Sequence, residues 1–215
     1  MAKANKRRRA LTVENLYSKK YDTYEFDGIF KEIFGNPSTN GIWIIYGKDK
    51  NGKTWGTLLI SDYLSQFKKV WYISAEEGMD MEFQAAVKRA NIDAKNKNLH
   101  FDEYVSIEAI RKRLKSRKPP KVVVIDNLSM YKGELTSDGV TQLKLEFPKT
   151  HFIMVAHEDR GKPYTAAAVM AMKLAKVIIR VQGLALLIGG RVPGGSVLID
   201  EAKAIMYHGT QIKQA

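Results

Sequence analysis

Cysteine is absent from the 215 residues, which excludes disulfides and thiolate metal sites. Histidine is scarce: four copies, at positions 100, 151, 157 and 208, are scattered without the spacing of metal ligands, so no structural metal is expected. No apolar run reaches the roughly eighteen residues that a membrane-spanning helix needs. With 45% apolar content, the chain still has enough to build one domain around a sizeable core. Its start, MAKANKRRRA, is basic with no apolar stretch behind it, so no secretory signal is read and a cytoplasmic location is expected. Acidic side chains are also in the minority, 23 against 35 basic, for a net charge of +12. Such an excess suits a polyanionic partner, of which nucleic acid is the usual one, although a purely solvated basic face has the same composition.

The most informative stretch is GIWIIYGKDKNGKT, residues 41–54. A buried-looking apolar strand leads into Gly47, Lys48, Asp49, Lys50, Asn51, Gly52, Lys53 and Thr54, and a helical pattern from Trp55 onward follows. This is the strand–GxxxxGK[ST]–helix arrangement of a phosphate-binding loop. Glycine permits a backbone that wraps an anion with its N–H groups pointing inward. Lys53 supplies a point charge for the β- and γ-phosphates, Thr54 a hydroxyl for Mg²⁺, and the helix start a positive dipole end. The implied ligands are ATP and Mg²⁺, held by residues 47–55.

Around this loop the chain alternates strands with helices. KVWYISA is followed by Glu76, Glu77 and an amphipathic MEFQAAVKRANI; a short strand near LHFDEYV precedes a helix capped by Ser106. KVVVIDN reads as a central strand buried on both faces, ending in Asp126. The segment between it and the next strand, HFIMVAH, reads as a loop; a helix and another strand follow. Two apolar runs around GGRVPGG then read as a hairpin. The expected fold is α/β: a mostly parallel central sheet flanked by helices, with a C-terminal β-hairpin and ligands at the carboxyl ends of the strands. Residues 1–25, with the cationic run Lys6 to Arg9, are expected to form a flexible basic arm, 26–209 the core and 210–215 a tail. Residues 26–34 read as a short helix. The aromatics of YDTYEF either cover the chain's own core or pack on a neighbouring subunit.

Asp126 at the carboxyl end of a central strand is placed to support Mg²⁺ beside the phosphate loop. Glu76 and Glu77 follow the second strand directly, where a general base would orient the water that attacks the γ-phosphate. One of the two is equally explained as a helix-start acid. His157 ends the neighbouring strand and is placed to sense the γ-phosphate.

Taken together, GKDKNGKT, WYISAEE, VVVIDN, FIMVAH and the final hairpin resemble the ATPase core of the RecA/RadA recombinase superfamily, over about residues 26 to 209. The resemblance implies a catalytic glutamate after the second strand, with Glu76 the better match. It gives His157 the position of a polar residue that couples nucleotide to DNA, where glutamine is more familiar. It implies DNA contact by the next loop, through Arg160, Lys162 and Tyr164, and a cation reaching a neighbouring subunit's γ-phosphate at Arg191, hence a homo-oligomer, ring or filament. The family often has two cations there; this chain has Gly189 and Gly190 before a single Arg191. Without the large flanking DNA-binding domains of full recombinases in this sequence, the resemblance is to short phage-encoded recombinases that assist single-strand annealing, which would place the protein in the host cytoplasm. The expected activity is Mg-dependent ATP hydrolysis coupled to single-stranded DNA in recombination or annealing. Rival readings are a ring helicase or translocase, a DNA-independent phosphotransferase and a nucleotide-gated scaffold.

Overall fold

Why the phosphate loop sits where it does follows from the strand that carries it. In the structure, a computed structural model that describes residues 10–208, β1 (Gly41–Gly47) follows two short helices, α1 (Val13–Tyr17) and α2 (Gly28–Phe34), and all seven of its residues are buried. The chain continues through α3 (Lys53–Ser65), β2 (Val70–Ser74), α4 (Met81–Arg89), β3 (Leu99–Asp102), α5 (Ile107–Leu114) and β4 (Val122–Asp126). Next come a single 3-10 turn (Leu128–Tyr131), α6 (Ser137–Glu146), β5 (His151–Asp159), the two-residue β6 (Lys162–Pro163) and α7 (Ala166–Leu174). β7 (Val177–Gln182), β8 (Ala185–Gly190), β9 (Gly195–Leu198) and α8 (Glu201–His208) complete it.

The strands form one sheet in the order β3-β2-β4-β5-β1-β7-β8-β9, with β6 paired to β5. From β3 to β7 every neighbouring pair is parallel, while β8 and β9 return antiparallel. The carboxyl ends of β1, β2, β4 and β5 therefore converge on one edge. Side chains alternate across the sheet. Trp43 and Ile45 face α3 and the aromatic N-terminal segment, packing with Leu58, Leu64, Tyr24 and Phe34. Ile42, Ile44 and Tyr46 face the opposite layer with Ile110, Val140, Leu143 and Ala168.

Three features refine the sequence reading. The segment 127–150 is not a loop: α6 lies in it, capped by the Thr136 hydroxyl on the Gly139 N–H and anchored by Val140 and Leu143. The expected hairpin at 191–194 is present, and a second tight turn, Gly183–Leu184, with φ of 53° and 61°, makes the C-terminal element a three-stranded meander. At the N-terminus, packing begins before residue 26: Asp22 and Thr39 pair through the backbone, and Tyr24 and Phe26 join the chain's own core. Tyr21 and all of α1 stay exposed. The run Lys6 to Arg9 and residues 210–215 lie outside the described residues. Among the described residues, no helix is long and apolar enough to cross a membrane.

Candidate active site

The loop 48–52 turns between β1 and α3 through Gly52, whose φ of 94° suits glycine and whose added Cβ would lie 2.6 Å from Leu184 Cδ2. Gly47 is equally constrained, because a Cβ there would collide with the Val181 carbonyl oxygen. The loop is clamped from outside. Asn51 Oδ1 accepts from the Gly183 N–H at 2.8 Å, and the Leu184 N–H donates to the Asn51 carbonyl at 3.2 Å.

Lys53, only 8% exposed, folds over this loop, donating to the Lys48 carbonyl at 2.9 Å and meeting Asp49 at 3.4 Å. Burial pushes the Asp49 carboxyl up, but His157 and Lys53 outweigh it and leave its pKa below the ordinary value. Thr54 donates its hydroxyl to Glu77 Oε1 at 3.3 Å. Partial burial raises Glu77, helped by the charges of Glu76 and Asp80 and opposed by the Thr54 hydrogen bond. Asp126, buried at the end of β4, accepts the Tyr72 hydroxyl at 2.5 Å. Burial pushes Asp126 up to about 7 against the pull of Tyr72 and Lys53, with Glu77 and Glu76 pushing the same way as burial. A hydroxyl and neighbouring carboxylates, all hard oxygen donors beside a lysine-bearing loop, fit Mg²⁺ accompanying a polyphosphate.

Glu76 is the carboxylate with a positioning apparatus. Asn127 donates its amide N–H to Glu76 Oε2 at 2.6 Å, and His157 Nε2 lies 3.2 Å from Glu76 Oε1. Asn127 Nδ2 and His157 Nε2 are themselves 2.5 Å apart, and His157 Nδ1 contacts the Asp49 carboxylate. Two strand ends and the phosphate loop are thus joined through one imidazole. Asn127 also accepts from the N–H and hydroxyl of Ser129, which fixes its orientation. The sequence alone gives Asn127, within VVVIDN, no role, since its partners lie 51 and 30 residues away.

Beside these residues opens a cleft of about 630 Å³, into which Lys53, Thr54, Glu76, Asp126 and His157 face. Its far wall holds Trp55, with Arg89 at 5.6 Å and Lys203 at 5.2 Å from the indole centroid. Trp55 was expected here; Arg89 and Lys203, from α4 and α8, carry no motif that marks them.

Arg160, Lys162 and Tyr164 lie together on a small hairpin that extends the strand of His157, closed by Arg160 and Gly161 at φ of 48° and 81°. The Tyr164 N–H donates to the His157 carbonyl at 2.9 Å, and Lys132 sits 4.5 Å over the Tyr164 ring. At the hairpin's base, Arg180 of β7 grips Glu158 with bonds of 2.9 and 2.7 Å, holding that carboxyl below its usual range. Arg191 lies apart. Gly190 pairs with Val177, at the amino end of β7, so Arg191 sits on the edge of the sheet opposite its own phosphate loop, with its N–H bonded to the Lys176 carbonyl at 2.7 Å.

No described protein family matches the chain, and no curated protein is similar in sequence. The fold, by contrast, has many counterparts: 511 chains of solved structures match. The flagellar accessory protein FlaH from Methanocaldococcus jannaschii superposes with a TM-score of 0.59 at 17% identity, over 82% of this chain and 91% of that one. A KaiC-like protein from Pyrococcus horikoshii gives 0.59 at 14%, over 82% and 93%. A third structure, the ATPase domain of another protein, gives 0.52 at 15%, over 74% and 80%. The chain shares their α/β fold, a mostly parallel sheet flanked by helices, with the phosphate-loop motif at the carboxyl end of β1. At these identities the likeness is one of fold.

Proposed function

We propose that this chain binds Mg·ATP, hydrolyses it with Glu76 as the general base, and couples hydrolysis to single-stranded DNA in recombination or annealing. The observation that carries the reading is the pair of hydrogen-bonding partners, Asn127 and His157, that hold Glu76 at the mouth of the phosphate loop. A base needs its lone pair aimed before the reaction, and two fixed partners supply that aim. In this reading, Lys53 turns from its loop carbonyl to the β- and γ-phosphates, and Thr54 and Asp126 hold the metal. When bound, Mg²⁺ neutralises the charge that builds on the phosphate oxygens. Glu77, bonded to Thr54, is a neighbour of the metal site rather than the base. The third structure named above is an ATPase domain, which agrees with a hydrolytic role for the shared fold.

Coupling to DNA rests on continuity. The strand that presents His157 to Glu76 runs directly into the hairpin of Arg160, Lys162 and Tyr164, so a shift of the imidazole is passed to cations and an aromatic ring suited to phosphates and bases. Arg191, remote from its own loop, acts in this reading on the nucleotide of a second copy in a ring or filament.

The test is ATP turnover with and without single-stranded DNA at two salt concentrations, for wild type and Lys53→Ala. Stimulation that fades with salt and vanishes in the variant is expected. Turnover indifferent to DNA would remove the DNA coupling and leave the ATPase; no turnover under either condition would remove both.

A further inference from the structure

The chain holds a second concentration of positive charge, away from the hairpin. Seven of the thirteen residues from 109 to 121 are lysine or arginine and none is acidic. The charge of a helix C-terminus accounts for cations in the last turn of α5, namely Arg111, Lys112 and Arg113. It does not account for Lys115, Arg117 and Lys118, which continue beyond the helix. Glu146 takes up two of the seven, with Lys115 at 2.6 Å and Arg111 at 3.4 Å. Lys112, Arg117 and Lys118 are exposed and have no carboxylate partner among the described residues.

Lys112 and Lys118, with Arg113 and Lys115, rim a groove of about 900 Å³ beside the edge strand β3. α5 follows the carboxyl end of β3 and leads back to the amino end of β4, so it runs down the margin of the sheet with the groove alongside. Trp71, 2% exposed, lines its floor, with the indole N–H bonded to Asp102 at 2.7 Å and the Arg113 guanidinium 4.8 Å over the ring. This cation–π contact draws the Arg113 guanidinium to the groove. Tyr104, 43% exposed and stacked on Tyr131 at 5.2 Å, stands at one end as an aromatic platform. Two exposed acids share the rim, Glu103 and the Asp102 that accepts the Trp71 indole N–H. A cationic track with a guanidinium and a stacking ring is the equipment for gripping a single nucleic-acid strand by its phosphates while tolerating any base.

We propose that the β3–α5 groove is a binding site for the backbone of single-stranded nucleic acid, separate from the hairpin at 158–164 and independent of nucleotide. β3 lies three strand positions from β5, about 14 Å across the sheet, so the two sites can hold different strands. This extends the DNA reading above but does not depend on its ATP coupling.

The experiment uses the full chain without ATP and a fluorescein-labelled oligo-dT of about 20 nucleotides, followed by anisotropy at about 50 and about 200 mM salt. The double variant Lys112→Glu/Lys118→Glu is compared with Arg160→Ala/Lys162→Ala. Both groove positions are exposed, so an unchanged melting curve is expected. Wild type is expected to bind, and the groove variant to bind at least tenfold more weakly, with a log–log salt slope shallower by about 1.4, the change for about two fewer phosphates neutralised on a single strand. Equal competition by oligo-U supports backbone recognition. An unchanged slope in the groove variant overturns the proposal. So does competition by polyglutamate as strong as that by unlabelled oligo-dT, which assigns the groove to acidic protein segments. Absence of binding without ATP, or a loss confined to the hairpin variant, overturns it too, while leaving the hairpin reading intact.

Discussion

The strand β5 carries two histidines, one at its first residue and one near its carboxyl end, and the two have nothing in common beyond their side chain. His151, at the amino end, is fully buried; its Nδ1 shares a 2.9 Å hydrogen bond with the Tyr24 hydroxyl, and Trp43 packs edge-on at 4.6 Å. Burial, with a smaller contribution from Lys176, pulls its pKa down to about 3. His157, at the carboxyl end, is partly open and touches Asp49, Glu76 and Asn127. At the amino end of β5 the imidazole is closed off and serves packing. At the carboxyl end it faces other polar groups across a cleft, where parallel strands stop and the backbone turns to meet ligands. Residue type says little about role; the end of the strand on which the residue stands says much more.

Three experiments put that contrast at risk. The largest effect belongs to the carboxyl edge. Glu76→Gln is expected to lower single-turnover ATP hydrolysis by about 10² to 10⁴-fold while nucleotide binding and the melting temperature stay near wild type. A loss below tenfold would give the base to another group, Glu77 first. Next is the amino edge. His151 is neutral when folded and takes up a proton once unfolded, so its contribution is complete above about pH 6.5 and shrinks as pH falls toward about 3. Roughly 3 kcal/mol of stability should disappear between about pH 6.5 and about pH 4. Urea midpoints across that range should show the slope in wild type and a flatter one in His151→Asn; identical slopes would show that the carboxylates alone set the acid response. The smallest effect tests coupling. His157→Gln keeps a polar side chain at the strand end and should retain hydrolysis within about tenfold, whereas His157→Ala should lose the DNA stimulation with little change in stability.

The parts of the fold that were legible in the sequence are those decided locally. The phosphate loop is a contiguous motif, and β1, β2 and β4 are apolar runs buried on both faces, which announce a parallel sheet. α6 escaped because its start, TSDG, has the composition of a turn and only Val140 and Leu143 anchor it. Within the site, Lys53, Thr54, Asp126 and Glu76 were visible from their position relative to strands. Asn127, Arg89 and Lys203 were not, since each acts through a contact formed only when distant segments meet.

The clamp on the phosphate loop links residues 51 and 183, and β1 finds its two sheet neighbours only at 151–157 and 177–181. During synthesis, the loop emerges more than 120 residues before the segment that enforces its shape. A ribosome must deliver residue 183 before the clamp on the phosphate loop can close. A nascent chain stalled before residue 183 would carry the complete motif with nothing yet to hold it in form.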